Sequence, residues 1–170
     1  KLDVAGTATM TGLRMPTGAA AGQVLTSDAA GNGSWQPLPS TTTGFANGSG
    51  NSPTAATQFL TPTVTVTVTA GQKIQVIANK AFGSTVAGGA TNLDLYIGYR
   101  VAGSGDVPTL VGGGIFNNQV PQNTRITMGL SAIISGLAAG SYEAGMAGDD
   151  DGNGNWNNNE WGYVTAVVLN

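Results

Sequence analysis

The sequence predicts an all-β protein, and three observations support that fold class. Apolar and polar residues alternate in several short stretches, which is the two-residue period of a strand with one buried face. Turn segments rich in Gly, Ser and Asn separate these stretches. Good helix formers such as Glu and Lys are scarce, and 27 glycines interrupt the chain, so we expect no long helix.

The first clear strand begins at Thr61, where TPTVTVTVT alternates strictly and places Val64, Val66 and Val68 on one face. Pro62 cannot donate a ladder hydrogen bond, so we expect this end at a sheet edge or at a strand start. Five more strand-like stretches follow: QKIQVIANKAF from Gln72, LDLYIGYRV from Leu93, TRITMGLSAII from Thr124, SYEAGMAG from Ser141 and GYVTAVVLN from Gly162. Several strands at this spacing predict a jelly-roll β-sandwich.

The first forty residues differ from this pattern and predict a stalk. They contain short strand-like pieces but too few large apolar residues to form a core of their own. The stretch GQVLTSDAAGNGSWQ, residues 22–36, predicts a hairpin that turns around Gly31-Asn32-Gly33, with Trp35 as a structural apolar group. Three copies wound together would share the burial that one copy cannot achieve.

A connector is expected between the stalk and the remaining strands. Residues 37–57 are rich in Ser, Thr, Asn, Gly and Pro, the composition of a linking segment. We place the domain boundary near Gly44. The stalk and connector then span residues 1–43, and the jelly-roll head spans residues 44–170.

Composition excludes several classes of function. Only 9% of residues are charged, against roughly 25% in ordinary domains, so hydroxyls and amides must cover the surface, as in exported proteins. The 6 basic residues do not cluster, which argues against nucleic-acid binding. No apolar run is long enough for membrane insertion. The chain begins at Lys1 without an initiator Met or a signal segment, so we expect a fragment or a processed product.

The absence of Cys and His removes further possibilities. Without Cys there is no disulfide framework and no thiolate metal site, so oligomerisation is the expected source of stability outside the cell. Without His the commonest general base and the commonest transition-metal ligand are missing. A serine nucleophile would need a lysine base, yet neither Lys73 nor Lys80 lies in a recognisable motif. The sequence therefore predicts no enzyme and no required cofactor.

One acidic stretch could hold a cation. GDDDGNGNWNNNE, residues 148–160, fits the calcium-loop pattern D-x-[DN]-x-[DN]-G-x₅-E. Calcium prefers six to eight oxygen ligands, which alternate residues of a tight loop can supply. The flanking segments are strand-like rather than helical, and Asp-, Asn- and Gly-rich loops also serve as ordinary turns. Both interpretations stay open; the calcium hypothesis assigns as ligands Asp149, Asp151, Asn153, the carbonyl of Asn155, and Glu160.

The same stretch contains candidate sugar-binding residues. Trp156 and Trp161 flank amides, and aromatic rings beside amides suit carbohydrates because ring faces stack on C–H groups while amides meet hydroxyls. The predicted ligand-binding set is Trp156, Trp161, Asn157 and Asn159. The alternative is that one or both Trp side chains pack into a core or an interface.

Three segments resemble known fibre proteins. Residues 22–36, quoted above, resemble the stalk hairpin of phage tail fibres and bacterial surface fibres. LAAGSYEAGMAG at 137–148 and NWNNNEWGYVTAVVLN at 155–170 resemble the closing strands of the trimeric jelly-roll heads on such fibres, which are similar to complement-head and tumour-necrosis-factor domains. The resemblance implies a parallel homotrimer with a receptor-facing tip, located on a virion or at an extracellular surface, and carries over no binding residues.

Three functions follow as hypotheses. The first is a receptor-binding tip that attaches to a cell-surface glycan or protein and gains avidity from three copies. The second is a purely structural domain that trimerises and caps a fibre. The third is a polysaccharide-hydrolysing tip, for which Glu143 or Glu160 with one of Asp149 to Asp151 would have to supply two facing carboxylates. Arg100 and Arg125 are expected on a solvated face or in ion pairs.

Overall fold

A computed structural model describes residues 7, 9, 11–12, 14–37, 43–152 and 154–170. Within these residues the chain is all β, which confirms the predicted fold class, and no helix has the length and apolar character needed to cross a membrane. The chain divides into two compact units, Lys1–Ser40 and Thr41–Asn170. The sequence analysis placed this boundary near Gly44.

The first unit contains a hairpin of β1 (Gln23–Ser27) and β2 (Gly33–Pro37). Asp28 closes the turn, because its carboxylate accepts hydrogen bonds from the backbone N–H groups of Ala30 and Asn32 and from the Asn32 side chain. These bonds, the Asn32 side chain first, lower the pKa of Asp28. The predicted hairpin is therefore present, with its turn at residues 28–32.

The second unit, called the head below, contains two antiparallel sheets. The four-stranded sheet has the order β3-β11-β6-β9, and the five-stranded sheet has the order β4-β10-β7-β8 with β5 beside β4 on β10. The strands are β3 (Thr43–Gly48), β4 (Gln58–Phe59), β5 (Val64–Val68), β6 (Lys73–Ser84), β7 (Ala90–Val101), β8 (Thr109–Val120), β9 (Thr124–Ile134), β10 (Gly140–Asp149) and β11 (Gly162–Leu169). The early strands β3 and β5 pair with the late strands β11 and β10, which is the nested order of a jelly roll.

The core lies between the two sheets. Val64, Val66 and Val68 point inward and are buried, as their alternation predicts, while Thr65 and Thr67 are exposed. Leu60, between β4 and β5, joins them, and both sheets contribute further large core residues, including Ile74, Val76, Phe82, Leu93, Leu95, Ile97, Ile134, Met146, Val164 and Val168. Alternate positions of each central strand therefore meet in one apolar layer.

Three strands were not predicted: β3, the two-residue β4 and β8. β3 lies inside the predicted connector, so the connector prediction is wrong for Thr43–Gly48. A side chain on Gly44 would come within 2.3 Å of Val64. β3 therefore packs closely on β5 through a residue that carries no hydrophobic signal. In β8, Gly112 and Gly114 adopt φ of 77° and 74°, and the β7–β8 register shifts at several points. Such bulges break the alternation that identifies a strand.

The strands define two ends of the head. In one sheet β3 and β6 run in the same direction, because both pair antiparallel with β11, and in the other sheet β8 and β10 do so, because both pair antiparallel with β7. The short turn from β5 into β6 gives both sets the same direction, since β5 is antiparallel to β10. All four strands therefore run away from the end at which β3 begins, called the base end. The opposite end, called the loop end, carries residues 49–57, 85–89, 121–123 and 150–161, of which 153 lies outside the described residues. The chain therefore enters the head at one end and presents its longest loops at the other.

Candidate functional site

The residues proposed from sequence for sugar binding lie at the loop end, but Trp156 is part of the core. Its side chain is 3% exposed, its Nε1 donates to the Thr91 carbonyl at 2.9 Å, and its ring meets Phe82 edge-on at a centroid distance of 6.2 Å. A buried ring cannot stack on a ligand, so the ligand-binding prediction for Trp156 is wrong and the core interpretation is correct.

The neighbouring amides hold the loop against the sandwich. The Oδ1 of Asn157 accepts from the backbone N–H and hydroxyl of Thr85. Asn159 accepts from the Gly83 N–H and donates to the Trp156 carbonyl. Trp161 is exposed but points elsewhere, since its Nε1 donates to Asn47 on β3. The four predicted residues therefore do not form one binding surface.

The predicted calcium ligands do not converge either. Asp149 accepts a 2.6 Å hydrogen bond from the Thr57 hydroxyl, Glu160 forms an ion pair with Arg125, Asp151 and Asn155 are exposed, and Asn153 lies outside the described residues. In the described part of the chain no group of three or more acidic side chains could hold a metal ion. These residues do not fit the site, because the carboxylate that should close the shell is engaged by a cation.

The hydrolytic hypothesis pairs Glu143 or Glu160 with one of Asp149 to Asp151, and each of these glutamates forms an ion pair with an arginine. Glu143 is on β10 of the five-stranded sheet, whereas Glu160 lies shortly before β11 of the four-stranded sheet. The hydrogen bond from Arg100 lowers the pKa of Glu143, which favours its carboxylate form. A general acid needs the protonated form, so Glu143 is poorly suited to that role.

A groove of about 670 Å³ lies on the flank of the head. One wall is the end of β3 and the backbone that follows it, residues 48–51, and the other is the β7–β8 loop, residues 105–108. The segment 57–63 and Arg100 lie between them. Its apolar lining residues are Phe59, Pro62, Val107 and Pro108, and its polar lining includes Asn51, Gln58, Thr63 and Asp106.

The first wall is held by a buried lysine. Lys80 is 1% exposed, and its Nζ donates to the carbonyl oxygens of Ser49, Asn51 and Leu60 at 2.5, 2.7 and 2.8 Å. Burial lowers the pKa of Lys80 to about 8. No carboxylate of the described residues pairs with it. The ammonium group therefore links β6 to two separate stretches of groove backbone.

The second wall is held by an ion pair on the five-stranded sheet. The Nε of Arg100 donates to Glu143 at 2.8 Å, and its Nη1 donates to the Asp106 carbonyl at 3.0 Å. Glu143 also accepts from the Gly103 N–H, and the guanidinium lies 5.3 Å from the centroid of the Phe59 ring. Arg100 thus connects the β7–β8 loop to the middle of the groove.

The opposite side of the head has a different character. The register aligns outward-facing residues of β3, β11, β6 and β9 in rows, including Phe45–Thr165–Ile77–Ser131. Of the outward side chains on these four strands, all described, only Lys73 at the base end and Arg125 at the loop end are charged. The exposed large side chains of this surface, called the apolar face, are Phe45, Ile77, Ile133, Trp161 and Tyr163.

The apolar face is not flat. The rings of Phe45 and Tyr163 stand together with centroids 6.5 Å apart. Across β6, a depression of about 320 Å³ is lined by Ile77, Asn79 and Gly129 among others. Protruding rings and a shallow depression therefore lie on the same surface.

No protein-family model and no curated protein sequence matches the chain. Among solved structures, the tripod (BppUct-A-L) from the baseplate of bacteriophage Tuc2009 is similar with a TM-score of 0.48 and 16% sequence identity, over 100% of this chain and 84% of that chain. The likeness is too distant to assign a site.

Sequence reasoning missed both walls of the groove. One signal was present: Lys80 follows Ile74, Val76 and Ala78 at the inward-facing positions of β6 and precedes Phe82. A lysine in the core phase of a strand predicts a buried ammonium that needs acceptors. The acceptors themselves are backbone carbonyls, which no sequence pattern identifies.

Proposed function

We propose that this chain carries the attachment head of a homotrimeric fibre on a virion or another extracellular surface, and that the head binds a cell-surface receptor without altering it chemically. The observation that carries the proposal is the contrast between the two outer sides of the head. One side is an apolar face almost free of charge, and the other holds a preformed groove between two ionically anchored walls.

The apolar face is suited to contact with other copies of the same chain. A contiguous apolar surface on a soluble domain marks an interaction site, and interface centres are enriched in aromatic residues and depleted of charge. The Phe45–Tyr163 rings and the depression beside Gly129 are on the same sheet but at different places. A contact of aromatic rings on one copy with the depression on the next is heterologous, and heterologous contacts give a closed cyclic oligomer when the rotation between neighbouring copies closes.

When the apolar face is buried between copies, the loop end and the groove remain accessible to a receptor. The chain enters at the base end, so the loop end is the farther one along the strands. The groove opens on the flank formed by segment 57–63 and the five-stranded sheet, away from the apolar face. A trimer that buries three apolar faces would present three grooves, and weak contacts in each would add through avidity.

Sedimentation and cell-binding measurements on the full chain test this proposal. We expect a species of three chains in sedimentation equilibrium and saturable binding of that species to host cells. A compact single-chain species at micromolar concentration would contradict the trimer. A trimer that binds no cell and no glycan would contradict attachment and favour the purely structural role.

A further inference from the structure

We propose that the groove between the Lys80-held wall and the Arg100-held wall is the receptor site, and that it takes a neutral oligosaccharide. This inference rests on the proposed attachment function and gives it a location and a ligand class. The site differs from the Trp- and Asn-rich loop that the sequence indicated, because that loop uses its amides and one of its rings for its own packing.

The 48–51 wall of the groove is held by a buried side chain from the core-facing side of β6. An ammonium at a core-facing position costs desolvation free energy unless its donors are satisfied by hydrogen bonds. All three donors of Lys80 are bonded to backbone carbonyls, two of which, those of Ser49 and Asn51, belong to the groove wall. The result is an irregular segment fixed in one conformation, and a site fixed before binding avoids the entropy cost of ordering a loop.

The opposite wall is fixed by the same means. The β7–β8 loop contributes the exposed Val107 and the buried Pro108 to the groove. Arg100 and Glu143 hold this loop through the Asp106 carbonyl and the Gly103 N–H. Two polar anchors from different sheets thus hold the two walls of the groove in place. The groove volume of about 670 Å³ is within the range of small-molecule sites.

The lining favours a sugar over an apolar ligand. Pro62 and Val107 offer C–H surfaces of the kind that pack on pyranose rings, while amides, hydroxyls and carboxylates meet sugar hydroxyls. The Nδ2 of Asn51 donates to the Phe59 carbonyl, and Gln58 Nε2 donates to Ser52 and Thr54. The side-chain oxygens of both amides are left to accept from ligand hydroxyls, and Asn51 keeps one N–H that can donate.

The charges favour a neutral ligand. The guanidinium of Arg100 is compensated by Glu143, and the ammonium of Lys80 is enclosed by three carbonyl oxygens. The carboxylate of Asp106 is exposed at the rim. An anionic glycan would approach this carboxylate without an uncompensated cation to offset the repulsion, whereas a carboxylate readily accepts hydrogen bonds from a neutral sugar's hydroxyls.

Two exposed valines provide a matched test. Val107 lies on the groove rim and is 69% exposed, whereas Val101, at the end of β7, is 58% exposed and does not line the groove. The full-length protein is applied to an array of neutral and acidic oligosaccharides, and the affinity of the tightest neutral one is measured by titration calorimetry for wild type, Val107→Glu, Val101→Glu and Asp106→Ala. Both substituted valines are exposed, so a folding defect is not expected in either variant.

We expect Val107→Glu and Asp106→Ala each to weaken binding by about tenfold or more, and Val101→Glu to bind as wild type does. Wild-type affinity in both groove variants would overturn the groove as the site and leave the attachment function intact. Binding to acidic oligosaccharides alone would overturn the ligand class. Absence of any binding to cells or glycans would overturn the attachment function together with the groove.

Discussion

On the four-stranded sheet, the outward rows between Lys73 and Arg125 carry rings, aliphatic side chains, amides and hydroxyls. On the five-stranded sheet, the outward positions of β7 and β10 include Asp94, Arg100 and Glu143. Both sheets bury equivalent apolar layers on their inner sides. The difference between the two outer surfaces therefore does not arise from the packing of the core within a single head.

The contrast teaches how a protein with few charges distributes them. A surface that packs against a copy of itself must lose its water, and each unpaired charge there would carry a desolvation penalty. A surface that faces solvent has no such restriction and can use ions to hold loops. The head places its ionic anchors beside the groove and keeps them off the apolar face.

The largest expected effect comes from a charge on the apolar face. Ile77→Lys places an ammonium at the middle of that face, and burying it unpaired should raise the dissociation constant of the proposed trimer by about 100-fold or more. The measurement is sedimentation equilibrium over a range of concentrations. Val101→Lys, an exposed apolar residue on β7 of the other sheet, should remain trimeric. Equal association in both variants would remove the distinction between the two sides.

A smaller effect is expected at the buried lysine. Lys80→Met keeps most of the apolar stem but leaves the carbonyls of Ser49, Asn51 and Leu60 without their donor, which should lower the free energy of unfolding by about 2 kcal/mol. Denaturant titration checks this value. Lys73→Met is the control, because Lys73 lies on the same strand but is exposed; it should change stability little. A fully stable Lys80→Met protein that still binds its glycan would show that the anchor is dispensable.

A pH dependence is expected at Glu143. Because the Arg100 hydrogen bond lowers its pKa from the ordinary value of 4.5, Glu143 stabilises the fold above that value, and this contribution is lost as pH falls through the lowered pKa. Glu143→Gln should therefore be less stable than wild type by about 1 kcal/mol at pH 7, with the difference shrinking in acid. Thermal or denaturant unfolding between pH 3 and pH 7 would reveal it.

The control for this pH series is Glu160→Gln. Glu160 pairs with Arg125, and both side chains are about half exposed, so the pair should contribute little. A pH-independent gap between wild type and Glu143→Gln would contradict the assigned role of the carboxylate. A larger loss of stability in Glu160→Gln than in Glu143→Gln would show that the Arg125–Glu160 pair at the loop end is the more important ion pair.

The smallest expected effect concerns calcium at the loop end. Since Glu160 is held by Arg125 and Asp149 by Thr57, excess Ca²⁺ and excess chelator should give melting temperatures that agree within about 1 °C, because a ligand stabilises only through preferential binding to the fold. A clearly higher melting temperature in excess Ca²⁺ than in excess chelator would support the predicted cation site at the loop end.

Several features could be predicted because they follow from local sequence periodicity. The strict alternation of Val64, Val66 and Val68 with threonines requires one buried face, and the in-phase Leu93, Leu95 and Ile97 do the same for β7. Where a strand lacks that periodicity, as in β3 and β8, prediction failed. Gly44 and Gly112 support these strands through close packing and a bulge rather than through hydrophobicity.

The candidate site was harder to predict than the fold. The Asp-, Asn- and Trp-rich loop has the composition of a binding site, yet Trp156 completes the core under β6 and β7. The groove has no comparable composition, because its walls are backbone segments. Residue types indicate chemistry only when their side chains are free, and that depends on neighbours distant in sequence.

By itself the sequence determined the all-β class, the inner faces of the central strands and the low charge of the surface, because each depends on residue type and on spacing along one strand. Only the tertiary structure decided which side of the head is apolar, that Trp156 is buried, and that Lys80 and Arg100 fix the two walls of a groove. These features depend on contacts between residues 20 to 65 positions apart in the chain, which local periodicity does not encode.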